Sequence, residues 1–179
     1  NKIWIDCSTN SLTCFNLLKQ KLNKKLNQFI DATISGGNLK AQSGDLSIFI
    51  GGNKKTVIKL KFVFNILGKN IYYLNKPGAG YAAKIAQVSL CYLNYLSLSE
   101  SLMLGVKSGI KPKTMLEIID KSASGGYTST RYGPNMINGD YDSSFFLGLS
   151  MKDLNLANEI IKLQKLKLPI MNLTSKIYN

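Results

Sequence analysis

The sequence predicts an α/β segment running to about Asn75, followed by an all-α segment. Three observations carry this. Short β-rich apolar runs alternate with helical periodicities as far as Ile71-Tyr-Tyr-Leu74, the strand signal disappears after Pro77, and a long apolar periodicity begins near Tyr81.

Taken in order, Ile3-Trp4-Ile5 reads as a strand, roughly Ser11 to Leu26 as a helix, and Gln28 to Ala32 as a second strand, which is a βαβ rhythm. Gly36-Gly37 opens a loop. Leu46 to Ile50 is a β-rich run stopped by Gly51-Gly52, a helix fits Lys54 to Leu67, and Ile71 to Leu74 is a further strand. From Tyr81 to Val106, apolar residues recur at Ile85, Val88, Tyr92, Tyr95, Leu96, Leu102, Met103 and Val106, the spacing of a long helix. Leu90, Leu93 and Leu104 fill its other side, so several neighbours are expected to bury it. Its polar residues, among them Gln87, Ser89, Asn94 and Glu100, argue against a membrane span. Lys113 to Lys121 reads as helix, Ser122 to Asp142 as a Gly- and Ser-rich loop, and Lys152 to about Leu166 as helix before Pro169 breaks it.

The 179 residues, 45% hydrophobic, can bury a sizeable core. A net charge of +13 raises nucleic acid or an anionic membrane as partners, but Arg131 is the one arginine among 23 basic residues and the lysines are dispersed from Lys2 to Lys176. That pattern, in a chain crowded with Asn, suits compositional bias better than a binding patch, and neither specific nucleic acid nor membrane is expected. The densest run, Lys19 to Lys25, reads as the solvated face of a helix. Cys7, Cys14 and Cys91 form no C-x-x-C pattern and fit a reducing, intracellular compartment, cytoplasm or mitochondrial matrix. With no histidine, Ser-His-Asp and Cys-His catalysis and His-ligated metals are excluded, and no metal is expected. The strand-like opening shows no charged-then-apolar leader, so no signal peptide is expected, and the true beginning is expected to lie upstream of Asn1.

Gly78-Ala-Gly-Tyr-Ala-Ala83 matches a relaxed dinucleotide-binding fingerprint, but no second strand follows it. Close approach of another chain segment to the start of the helix explains its small residues better. Lys84, one turn into that helix, shares a face with Gln87 and Val88 and is the only charge between Lys76 and Glu100. It is either solvated and inert or placed where burial beside a cleft suits it to proton transfer. Ser35-Gly36-Gly37 offers a hydroxyl and two unencumbered amides that suit a carboxylate, or is a plain β-turn. Asp6-Cys-Ser-Thr9 closes the first strand with hydroxyls suited to a helix N-cap or to a ligand at a strand's carboxyl end. Lys152-Asp-Leu154 reads as a helix start capped by Asp153, with Lys152 pointing outward.

In order, Asp6 to Thr9, Asp31 to Gly37, Ala41 to Leu46, Gly51-Gly52, Gly78 to Gly80 with Lys84, and Lys152 to Ala157 resemble the successive signatures of the β-hydroxyacid dehydrogenases, the 3-hydroxyisobutyrate dehydrogenase family. The resemblance spans essentially the whole chain. It implies the C-terminal half of a Rossmann-type NAD(P)-binding domain at 1–76, joined by the long helix to an all-α domain at 77–179. It implies NAD or NADP as cofactor, a small β-hydroxyacid or semialdehyde as substrate, and a homodimer or homotetramer. Lys84 would be the general acid/base. Ser35, Gly36 and Gly37 would hold the substrate carboxylate, with Gln87 and Val88 beside the substrate. Thr9 and Lys152 would contact the cofactor.

Three departures are visible. The family's first βαβ part, with its G-x-G-x-x-G phosphate loop, lies upstream of the residues present. The lysine motif usually continues as Lys-x-x-Asn-Asn, where Gln87 and Val88 stand here, and the proline expected after Asp31-Ala32 is Thr33, a change expected to affect loop rigidity. These leave a second reading, a degenerate non-catalytic relative acting as an oligomerising or binding scaffold. Imine-reducing relatives generally replace the lysine, so Lys84 weighs against that activity.

Overall fold

The computed structural model describes residues 2–23, 28–141 and 145–179. The expected helix beyond Asn23, the Lys24-Lys25 part of the basic run and Asp142 lie outside the described residues. The chain is an α/β segment followed by a helical one, and it divides into two units, Asn1–Gln87 and Val88–Asn179.

The first unit holds a four-stranded sheet in the order β1 (Ile3–Asp6), β2 (Gln28–Ser35), β3 (Leu46–Gly51), β4 (Gly68–Tyr73). β1 and β2 are parallel and joined by helix α1 (Leu12–Asn23), β2 and β3 are antiparallel, and β3 and β4 are parallel. Side chains alternate across a strand, so β2 serves two environments at once. Ile30 and Ala32 join Leu46, Ile48, Ile50, Val57 and Phe64 in one apolar core. Asp31 and Thr33, on the other face, are equally inaccessible to solvent.

What buries those two polar residues is the beginning of α5 (Ala79–Lys107). The Asp31 carboxylate accepts from the amides of Gly78 at 2.8 Å, Gly80 at 2.7 Å and Tyr81 at 3.3 Å. The first amides of a helix have no intrahelical partner and carry its positive dipole end, so a carboxylate placed there satisfies both needs. Thr33 Oγ1 donates to the Gly80 carbonyl at 2.8 Å. The approach demands small residues. A Cβ on Gly80 would overlap the Phe49 carbonyl and the Asp31 carboxylate, and one on Gly51 would meet the same carboxylate. Gly78 turns the chain into the helix with φ +86°, a conformation that suits glycine. The Gly-Ala-Gly run is therefore a socket for a carboxylate.

Several elements differ from expectation. The loop expected at Gly36-Gly37 becomes α2 (Gly37–Gln42), a short helix that buries no side chain and so leaves no apolar periodicity. The single helix expected from Lys54 is two, α3 (Lys54–Lys59) and α4 (Lys61–Leu67), meeting at Leu60, and each turns one large side chain, Val57 or Phe64, into the sheet core. Thr33 lies inside β2, opposite Phe49, and not in a loop.

In the second unit, α6 (Pro112–Asp120) packs against α7 (Tyr127–Asn138), which occupies most of the segment read as loop. The residues α7 buries are Thr128, Ser129 and Gly133, too small and polar to register as an apolar stripe; Gly133 lies against Leu116. Helix α8 (Leu147–Leu163) begins one turn before the expected start, because its first residues are exposed. Pro169 opens α9 (Pro169–Tyr178) at a position where a missing N–H costs nothing. Val88, Tyr92 and Leu154 form a small core with Met171 and Tyr178 packed against it. Among the described residues no helix is long and apolar enough to cross a membrane.

Removing the Asp31 carboxylate strands three buried amides. Asp31→Ala is expected to lower unfolding free energy by about 3 kcal/mol or more, whereas the exposed Asp140→Ala should change it by less than about 0.5 kcal/mol. Urea denaturation of both variants decides this, and equal small effects would remove Asp31 from its anchoring role.

Candidate functional site

The residues singled out by sequence fall into two groups, one in each unit. In the first unit, Lys84 is half-buried on the second turn of α5. Its Nζ donates to Ser35 Oγ at 3.5 Å, and Ser35 Oγ donates in turn to Gln87 Oε1 at 2.9 Å. Ser35 ends β2, and Gly36 and Gly37 follow it into α2, with φ +143° and +67°. A Cβ on Gly36 would collide with Lys40, so the turn leaving Ser35 requires glycine there. Lys84, Ser35 and Gln87 thus form one side-chain cluster, with the two glycines adjoining in sequence.

The three polar side chains of one β2 face, Asp31, Thr33 and Ser35, engage the first turns of α5 in succession. Sequence reasoning missed this. The signal was present as polar residues at i, i+2 and i+4 of a strand whose intervening residues are apolar.

At the carboxyl end of β1, Asp6 organises the loop that carries Thr9. Its carboxylate accepts from the Ser8 amide at 2.9 Å and the Ser8 hydroxyl at 2.6 Å, and the Tyr81 hydroxyl donates to its other oxygen. Burial pushes the Asp6 carboxyl up, but the Ser8 and Tyr81 hydroxyls and the Ser8 amide outweigh it and hold the pKa below the ordinary aspartate range. The cap of α1 is Ser11, whose hydroxyl accepts from the Cys14 amide at 2.9 Å, so the N-cap reading of the earlier hydroxyls gives way to it. Thr9 is half-buried.

In the second unit, Asp153 is not a helix cap. It lies within α8, only 3% exposed, and accepts from the Tyr92 hydroxyl at 2.8 Å. Its other oxygen stands 3.0 Å from Lys152 Nζ, an ion-pair contact that draws the half-exposed lysine back toward the helix. Val88, which the resemblance places beside the substrate, is buried with Tyr92 and Leu154.

The groups able to move a proton are narrowed by their surroundings. Burial, then Asp6, pushes the Cys7 thiol up. Burial likewise raises the Tyr81 and Tyr92 phenols, with Asp6 and Asp153 adding to it, so both stay protonated near neutrality. The Asp31 carboxyl is raised by burial against the pull of its amides, but it is enclosed and faces no cleft. Lys84 is half-buried, and its Nζ stands beside the Ser35 hydroxyl.

The chain matches known proteins along its length. A family model described as the NAD binding domain of 6-phosphogluconate dehydrogenase matches residues 1–75. A second, described as NAD-binding of NADP-dependent 3-hydroxyisobutyrate dehydrogenase, matches residues 78–179. The chain is 38% identical over 151 residues to the 2-(hydroxymethyl)glutarate dehydrogenase of Eubacterium barkeri, covering 84% of this chain and 50% of that one. It is 31% identical over 182 residues to the 2-hydroxy-3-oxopropionate reductase of Escherichia coli, covering 99% and 61%. In structure it resembles a 3-hydroxyisobutyrate dehydrogenase of Salmonella typhimurium, with TM-score 0.90 at 23% identity over 98% of this chain and 62% of that one. The chain thus spans 50% to 61% of the length of these curated relatives.

A carboxyl held low by the fold stabilises it above the ordinary aspartate value of about 3.9, and that contribution is lost as pH falls through the depressed native value. Tyr81→Phe removes one of the bonds that hold Asp6 low. Acid unfolding followed by circular dichroism at constant salt should therefore begin at higher pH in this variant. An unchanged or lower midpoint would show that the Tyr81 bond does not hold Asp6 down.

Proposed function

The chain belongs to the β-hydroxyacid dehydrogenase family, and from that membership we propose that this protein interconverts a small β-hydroxyacid, of the 3-hydroxyisobutyrate kind, and its semialdehyde, with Lys84 as general acid/base. The observation that carries this reading is the cluster of Lys84 Nζ, Ser35 Oγ and Gln87 Oε1 at the start of α5. The family's cofactor is NAD or NADP, which when bound supplies the acceptor or donor of hydride.

Two features of the chain suit that cofactor. A half-buried hydroxyl, Thr9, stands at the carboxyl end of a parallel strand, where α/β sheets bind their ligands. Lys152 offers an ammonium whose position is restrained by a buried carboxylate. These two residues would hold the cofactor, Thr9 through its hydroxyl and Lys152 through its charge.

In the direction of oxidation, the Lys84 amine takes the proton of the substrate hydroxyl; in reduction its ammonium returns that proton to the carbonyl oxygen. Ser35, by turning its single O–H from Gln87 to the substrate, and the backbone amides of Gly36 and Gly37 hold the substrate carboxylate, which fixes the reacting carbon relative to Lys84. Gln87 accepts the Ser35 proton until the substrate carboxylate takes its place. Val88 stands where a second amide is usual, and it is buried with Tyr92 and Leu154.

Lys84→Ala is expected to lower turnover of a small semialdehyde with NADH or NADPH by about 10²–10⁴-fold while melting temperature and circular dichroism stay unchanged. Turnover at the unsubstituted rate would exclude Lys84 as the acid/base.

A further inference from the structure

We propose that Thr33 is a positioning residue for Lys84, acting through the Gly80 carbonyl. The inference rests on the reading of Lys84 as the acid/base. Thr33 is wholly buried, and its Oγ1 donates to Gly80 O at 2.8 Å, in preference to the Phe49 carbonyl at 3.5 Å. In an α-helix the carbonyl of residue 80 also accepts from the amide of residue 84. One oxygen, using both its lone pairs, therefore joins β2 to the backbone of Lys84.

The far end of the same residue is tied to the same strand. Ser35, two residues beyond Thr33 and on the same face, accepts from Lys84 Nζ. Two residues of strand advance about 6.8 Å and four residues of helix about 6 Å. Strand face and helix therefore keep step between Thr33 at Gly80 and Ser35 at Lys84. Lys84 is held at its backbone and at its ammonium by alternate residues of one strand.

The identity of residue 33 matters to this. The family-like motif places proline after Asp31-Ala32, and proline has no side-chain donor to give the Gly80 carbonyl. Threonine supplies one, and its branched Cβ restricts χ1 so that the hydroxyl keeps its direction. Most buried hydroxyls in proteins find a partner, so a bond alone does not separate positioning from simple satisfaction. The separating property is whether losing the donor disturbs Lys84 in a folded protein.

The test compares Thr33→Val, which removes the donor at similar volume, with Thr33→Ser, which keeps it. Acetylation by acetic anhydride at fixed pH, read peptide by peptide in a mass spectrometer, gives the reactivity of Lys84 relative to Lys107, which lies exposed on the same helix. Steady-state kinetics on a small semialdehyde are measured alongside. In Thr33→Val the relative labelling of Lys84 should change by about threefold or more, and kcat should fall about tenfold with KM within about twofold. Thr33→Ser should restore both. Unchanged relative labelling in a folded Thr33→Val, or a Thr33→Ser that labels like it, overturns the proposal. If the full-length protein turns over no semialdehyde while the labelling shift and its rescue appear, the positioning stands and the dehydrogenase reading fails.

Discussion

A carboxylate taken out of water must be given donors in its place, and the donors that Asp31 receives are the three amides that open α5. That exchange decides where the helix begins and which strand it begins against. The amides of a first helical turn ordinarily turn to water or to a local cap. Here the partner lies 47 to 50 residues earlier in the chain, at the centre of the sheet. The contact is strong because it unites a charge, a helix dipole and a site free of competing water. It is also demanding, since Gly51 and Gly80 must lack side chains for the carboxylate to fit.

The arrangement of the site follows from this contact. With the start of α5 pinned, Lys84 comes to lie one turn along, within reach of Ser35 at the end of the strand that carries Asp31. Tyr81 is tied at its amide to Asp31 and at its hydroxyl to Asp6, so the end of β1, where Thr9 follows, is joined to the same turn. Phe15 of α1 lies edge-on to Tyr81 with ring centroids 5.8 Å apart, closing the apolar side of the socket. Proton-transferring and ligand-binding candidates of the first unit thus depend on one buried contact between a carboxylate and backbone amides, in which the side chains of Lys84, Ser35 and Gln87 take no part.

Much of this was legible in the sequence, for physical reasons that differ by element. Strand β3 announced itself because Ile48-Phe49-Ile50 is stopped by Gly51-Gly52, and the start of β2 because Phe29-Ile30 opens a β-rich run. Helix α5 was visible over nearly its full length because many of its positions are apolar. The small residues at 78–80 correctly signalled close approach, but not what approached, since a carboxylate 47 residues away leaves no local pattern. Helix α7 was hidden because the positions it buries are Thr128, Ser129 and Gly133. Asp153 looked like a cap because aspartate before an apolar run usually is one. Its actual partner, Tyr92, sits 61 residues away on another helix. The Lys84, Ser35 and Gln87 cluster was anticipated as separate motifs, while the bonds joining them required the fold.

The account turns on the first amides of α5 being bonded to a buried carboxylate when helix-initial amides usually exchange freely. Amide hydrogen exchange of the unsubstituted protein, resolved at Gly78, Gly80 and Tyr81 by NMR, tests this most directly. The account predicts that these three exchange as slowly as the central amides of β2 and β3, requiring large-scale opening. Exchange as fast as that of the exposed Gly109 turn would show that Asp31 does not hold them, and the derivation of the site from that contact would fail.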